Sequence, residues 1–182
     1  MKKALIKFVC GLTVLAGLSL ATDASALVTF DFTSGGVTSG TNYGNNITYM
    51  SGSTSLKATS WADTGTSSLF ETARIRSWNS FGIGSCNQDE GLNCNNPEHQ
   101  VDNYLDNDYV LFILDETIFF NYITVAPYDT WDRDVTYWVG TVAQNLDLSG
   151  KAYSNLAGLG FGSQQNVFNS RSNAAIDINL QD

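Results

Sequence analysis

The chain has 182 residues, with nine Lys and Arg against 18 Asp and Glu, a formal net charge of −9. That balance excludes nucleic acid as a natural partner, because phosphate contacts need clustered basic side chains and this sequence has no such cluster. The length suits a single domain able to bury a real core.

Residues 1–26 read as a secretory signal peptide. Lys2, Lys3 and Lys7 make a positive start, and Phe8 to Leu20 is apolar apart from small Gly, Thr and Ser residues. Ala24-Ser25-Ala26 then supplies the small-residue pattern of a cleavage site, which places the mature start at Leu27. A retained anchor is the competing reading, but the apolar run is well short of the ~20 residues that span a bilayer. The lysine-rich start suits a bacterial Sec substrate, so the expected location is extracellular or on the cell surface, with the periplasm as the alternative. Contact with the membrane is expected only through the cleaved peptide. The remaining domain, 27–182, carries 17 acids against six basic residues.

Short β-type runs separated by turn residues fill that domain. In chain order they are Leu27–Phe32, Asn46–Met50, Ser55–Trp61, Leu69–Trp78, Tyr109–Leu114, Ile118–Val125, Val135–Val139 and Ala174–Leu180. Tyr109–Leu114 is almost continuously apolar, as in a central strand buried on both faces. No window outside the signal peptide keeps a helical period. Spacers of Gly, Ser, Asn, Asp and Thr complete the pattern. The expectation is an all-β fold, a single antiparallel β-sandwich of jelly-roll type.

Cys86 and Cys94 survive cleavage as an even pair closing a short loop, which predicts a disulfide in an oxidising compartment. A zinc site would need more ligands than His99, the one histidine, can add. The acids cluster as well: 11 of the 17 lie between Asp89 and Asp134, with Arg133 the sole basic residue among them. Carboxylates, Asn amides and loop carbonyls at close spacing are the hard oxygen ligands of calcium. Asp89, Glu90, Asp102, Asn103 and Asp108 are the candidate ligands. The spacing is not that of an EF-hand. A solvated acidic loop, with Asp and Asn serving turns, explains the same residues.

Four tryptophans and eight tyrosines could supply a platform for stacking sugar rings, although cross-strand packing accounts for most aromatics in a sandwich. Trp131, inside Asp129-Thr130-Trp131-Asp132, is the candidate for exposure, whereas Trp61 and Trp138 are expected to pack. A paired-carboxylate glycosidase is conceivable on composition alone. No G-x-S-x-G nucleophile turn is present, and His99 beside Pro97-Glu98 reads as a turn residue. No catalytic residue is assigned.

The central segment resembles a known block. Gly82-Ile83-Gly84, Asn87, Asp89-Glu90-Gly91, Pro97-Glu98-His99-Gln100-Val101-Asp102-Asn103, Asp108-Tyr109-Val110-Leu111-Phe112 and Asp115-Glu116 follow the order and spacing of a motif in exosortase-dependent (PEP-CTERM-type) bacterial surface proteins. The resemblance covers about 80 to 90 residues, with one moderately specific motif. It implies an exported surface or extracellular-matrix protein of a Gram-negative bacterium, without known chemistry. The family's sorting tail, with its Pro-Glu-Pro motif, hydrophobic helix and basic end, has no counterpart in Asn173 to Asp182. A truncated sequence or a released protein is therefore expected. The reading is a noncatalytic matrix or binding module whose partners are extracellular polysaccharide or other surface proteins. A carbohydrate-binding module with a structural calcium is the alternative, and a glycoside-type hydrolase the third possibility.

Overall fold

The computed structural model describes residues 28–78, 81–94, 101, 106–118, 121–125, 134–168 and 176–179. All of its regular structure is β apart from two short 3-10 turns, Tyr153–Asn155 and Ala157–Leu159. The strands are β1 (Val37–Ser39), β2 (Asn46–Ser51), β3 (Thr54–Asp63), β4 (Glu71–Thr72), β5 (Arg74–Trp78), β6 (Gly82–Cys86), β7 (Asn107–Leu114), β8 (Tyr122–Val125), β9 (Val135–Tyr137), β10 (Gln165–Val167) and β11 (Ile176–Asn179). The expected all-β class is what the chain adopts.

β3 organises the largest sheet. One of its edges pairs with β2 through Thr54–Thr59 and then with β4 through Trp61 and Ala62; the other edge pairs with β7 along Leu56–Asp63. β1 extends the sheet beyond β2. Every ladder is antiparallel, and three two-stranded ribbons complete the set: β5–β6, β8–β11 and β9–β10.

Side chains alternate across a strand, so the register sorts them onto two faces. Ile47 and Tyr49 stand opposite Ala58 and Leu56, which face Phe112 and Leu114 across β7. This first face joins Phe30, Ile75 and partly buried Val28, Phe32, Ile83, Ile118 and Ile123 in one core. The β5–β6 hairpin lies over it. Buried Ser60 donates to Ser85 at 2.6 Å between the layers, and buried Asn45 both donates to the Ile75 carbonyl (2.9 Å) and accepts from the Ile75 amide (2.8 Å). An amide side chain thus continues a backbone ladder where no strand reaches.

Residues of opposite parity form the second face. Trp61, Leu111 and Ile113 pack with Phe70, Leu148 and Leu156, and Trp138, Leu146, Leu159 and Phe161 border them. An irregular segment covers this side, tied down by Phe70 N to Lys151 O (2.7 Å) and Gly150 N to Phe70 O (2.8 Å). Its two arms touch at Gly140, where a Cβ would sit 2.2 Å from the Gly160 carbonyl oxygen. Only glycine permits that approach. β7 accordingly buries residues on both faces, as its apolar run predicts.

Several expected elements change on folding. The run Leu69–Trp78 splits into β4 and β5 because Ala73 is buried and donates to the Ser60 carbonyl at 3.1 Å. Val28–Phe32 forms no strand; Phe30 enters the core, and Asp31 turns the chain by accepting from Thr33 and Ser34. β6 escaped notice because Gly82 and Gly84 mask its alternation.

Candidate functional site

Three surfaces gather polar or aromatic groups. The first is the loop after β6. Cys86 and Cys94 are disulfide-bonded with Cα atoms 5.5 Å apart, as expected. Inside that loop buried Asn87 acts as the organiser: its Oδ1 accepts from the amides of Asp89 and Glu90 (both 3.0 Å), and Glu90 Oε2 accepts from the Asn87 amide (3.0 Å). Its Nδ2 donates to Asp108 Oδ1 at 3.4 Å, joining the loop to the start of β7. The structure therefore links three of the five expected calcium ligands, Asp89, Glu90 and Asp108, through an asparagine not counted among them. Asp102, Asn103 and His99 lie outside the described residues, as does Trp131. Among the described residues no three His, Cys, Asp or Glu side chains are grouped so as to hold a metal ion.

Glu71 from β4 joins this neighbourhood. Burial above all, then the charges of Glu71 and Glu90 and more weakly Asp89, push the Tyr43 hydroxyl above its ordinary pKa, while Arg74 opposes them. Arg74 in turn donates to the Leu92 carbonyl. The loop is thus a charge-bearing surface cross-linked to the hairpin by both a covalent and a polar bond.

The outward side of the β5–β6 hairpin is the second surface. Ile75 is buried, so Arg74, Arg76 and Trp78 share the opposite side of β5. They pair across the ladder with Cys86, Gly84 and Gly82, and the two glycines place no side chain beside Arg76 and Trp78. The Arg76 guanidinium lies 4.8 Å from the Trp78 ring centroid, within cation–π range. Burial, with Arg74 adding like charge, lowers the Arg76 pKa. Phe81 donates its amide to the Trp78 carbonyl (2.9 Å) to close the turn and leaves its ring 79% exposed.

The third surface is aromatic. Tyr153 meets Phe70 and Tyr109 edge-on, at 5.3 and 5.6 Å between centroids, and stacks on Trp138 at 5.8 Å. Asp63 anchors the rim by accepting from the Asn107 amide (3.0 Å), Asn107 Nδ2 (2.9 Å) and the Tyr109 hydroxyl (3.4 Å). Burial first, then Asp63, raise the Tyr153 pKa. Each ring here has protein partners, so the cluster reads as the seam holding the irregular segment to the sheet. Trp61, 6% exposed, and half-buried Trp138 pack as expected.

Sequence reasoning passed over Arg76 and Phe81, and met Asn87 only as one residue of the resembling block. A signal for Arg76 was present in the alternation Arg74-Ile75-Arg76-Ser77-Trp78, which puts two of only six basic residues of 27–182 on one side of a strand. Searches against family models, curated proteins and solved structures found no match to this chain.

Proposed function

We propose that the chain is an exported, noncatalytic module of a bacterial surface or extracellular matrix, built as a sandwich of jelly-roll type. Support comes first from the Cys86–Cys94 disulfide, since such bonds persist mainly in oxidising compartments. The signal-like residues 1–26 and the resemblance to exosortase-dependent surface proteins point the same way. The hairpin lying across one face of the main sheet supports the sandwich.

Expression in a Gram-negative host, followed by fractionation and intact-mass measurement, tests this reading. The expected product starts at Leu27, lies outside the cytoplasm and has Cys86 and Cys94 oxidised. A full-length cytosolic chain with both thiols free would overturn it.

Glycan binding is the second reading, favoured by the solvent-exposed rings of Phe81 and Phe168, each 79% accessible. Such rings stack on apolar sugar faces, and Trp131 would extend the set. A structural calcium on Asp89, Glu90 and Asp108, completed by Asp102 and Asn103, belongs to this reading; the carboxylates of Glu90 and Asp108 both accept from Asn87, whereas Asp89 reaches it through its backbone amide. Thermal unfolding with calcium and then with chelator checks the metal. A ligand binding only the folded state adds ~2.7 kcal/mol at a hundredfold excess over its Kd. An unchanged transition would remove calcium from the proposal.

A further inference from the structure

We propose that β1 is an interaction edge for a second copy of this chain. The two β1 strands pair antiparallel about a two-fold axis at Thr38, so that the main sheets of both copies join into one. This goes beyond the surface-module reading and does not depend on it.

Exposure supplies the first reason. β1 ends the main sheet beyond β2, to which it is laddered. Every residue from Thr33 to Asn42 is exposed, whichever side of the strand it faces, and Val37 is 70% accessible. Chain laid along this edge would shield some of these residues, and none is shielded. Such an edge presents backbone donors and acceptors in a row, a template for another strand. The open surface continues onto β2: Val37 pairs with Thr48, and Met50, two places on and on the same side, is 60% accessible.

Charge supplies the second reason and selects the occupant. From Phe32 to Leu56 the sequence has no Asp, Glu, Lys, Arg or His. Natural sheets guard open edges with lysine, proline or inward-pointing charge, and β1 has none of these. A net charge of −9 makes two copies repel one another over most of their surface, and the neutral β1–β2 edge is where they approach at least cost. A basic partner would gain nothing from a neutral edge, whereas a second copy avoids its own repulsion there.

Shape agrees. Pairing brings backbones to about 4.8 Å. Gly35, Gly36 and Gly40 flank β1, so no side chain overhangs its ends. A two-fold axis at Thr38 sets that residue against its own counterpart, and Val37 of each copy against Ser39 of the other. Facing threonines are a favourable antiparallel pair. The same patch serves both copies, as closed two-fold symmetry requires. With only three residues in β1, the contact is small and the dimer should dissociate on dilution.

The test uses protein purified after expression of the full 182-residue chain and sedimentation velocity over rising concentration. Wild type should pass from monomer to dimer, more readily at higher salt, which screens the repulsion between copies. Thr38→Glu and Thr38→Lys each put like charges face to face, and each alone should raise the dissociation constant at least about tenfold. An equimolar mixture of the two should restore dimers holding one copy of each. Because Thr38 is exposed, both variants should keep the wild-type melting transition.

A wild type that stays monomeric at every concentration would remove the second copy as occupant and overturn the proposal. Dimers indifferent to both substitutions would place the contact elsewhere, with the same consequence. If the folded variants lose association but fail to recombine when mixed, the pairing of Thr38 with itself is wrong.

Discussion

The two faces of the main sheet are covered in different ways, and the difference shows where this protein's order comes from. On the first, the β5–β6 hairpin lies over β2, β3 and β7, Ile123 of β8 packs against the same cluster, and aliphatic residues such as Ile47, Leu56, Ile75 and Leu114 are 0–1% exposed. Polar links at Asn45–Ile75 and Ser60–Ser85 fix the layers in register, and the disulfide closes the loop leaving β6. On the second, the cover is irregular chain with two 3-10 turns, held by leucines and a group of mutually packed aromatics. Regular elements on both sides leave little room to relax around a lost side chain, whereas a segment held at a few backbone bonds can settle inward.

The sharpest test of this contrast compares Ile75→Ala with Leu148→Ala. Truncating a buried aliphatic residue costs about 2–5 kcal/mol, more where the cavity cannot collapse. Ile75→Ala is expected near the top of that range, with loss of cooperative unfolding in urea. Leu148→Ala should fall near the bottom, with faster amide exchange confined to the segment around residues 140–160. Equal costs and global exchange in both would abolish the distinction.

Next in size is the disulfide. Replacing Cys86 and Cys94 by Ser removes a short-loop constraint worth roughly 2–3 kcal/mol. Because the loop is anchored on the first-face hairpin, the loss should appear in the main unfolding transition measured by denaturant. A drop confined to local exchange in residues 87–94 would mean that the bond serves the loop alone.

Asn45→Ala should cost about 1–3 kcal/mol, since it leaves the Ile75 amide and carbonyl without their partner in a buried place. Asn45→Asp should recover the acceptor but not the donor, so the two variants separate the bonds in equilibrium melts.

Alkaline titration gives the smallest effect and belongs to the second face. The Tyr153 pKa lies above its ordinary value of 10.0, chiefly through burial and then through Asp63. A raised folded-state pKa means that the stabilisation is fully present below about pH 10 and is lost as pH climbs through the folded value. Wild-type stability should therefore fall above pH 10, and Tyr153→Phe should flatten that part of the slope. An identical alkaline slope in the variant would show that Tyr153 does not govern the seam.

Legibility differed along the chain for physical reasons. Residues 109–114 were readable as a doubly buried strand because both parities are apolar, and Ser55–Trp61 because its alternation is clean. The Gly-containing β6 was not readable, since a glycine reports neither face. At the site, Asp89, Glu90 and Asp108 stood out by charge, while the residue joining them, Asn87, looked like any turn asparagine. Arg76 was overlooked because a single cation in an acidic chain draws no attention until its neighbours are known.

Composition and alternation by themselves determined the all-β class, the pairing of Cys86 with Cys94 and the burial of Trp61, because each depends on local chemistry or on a pattern within one strand. Only tertiary structure decided that β2 and β4 share one edge of β3, that Asn45 completes the ladder at Ile75, and that Arg76 stacks on Trp78 opposite bare glycine. Those outcomes depend on register between distant segments. A shift of one residue would turn every side chain to the other face, and no single segment encodes which register wins.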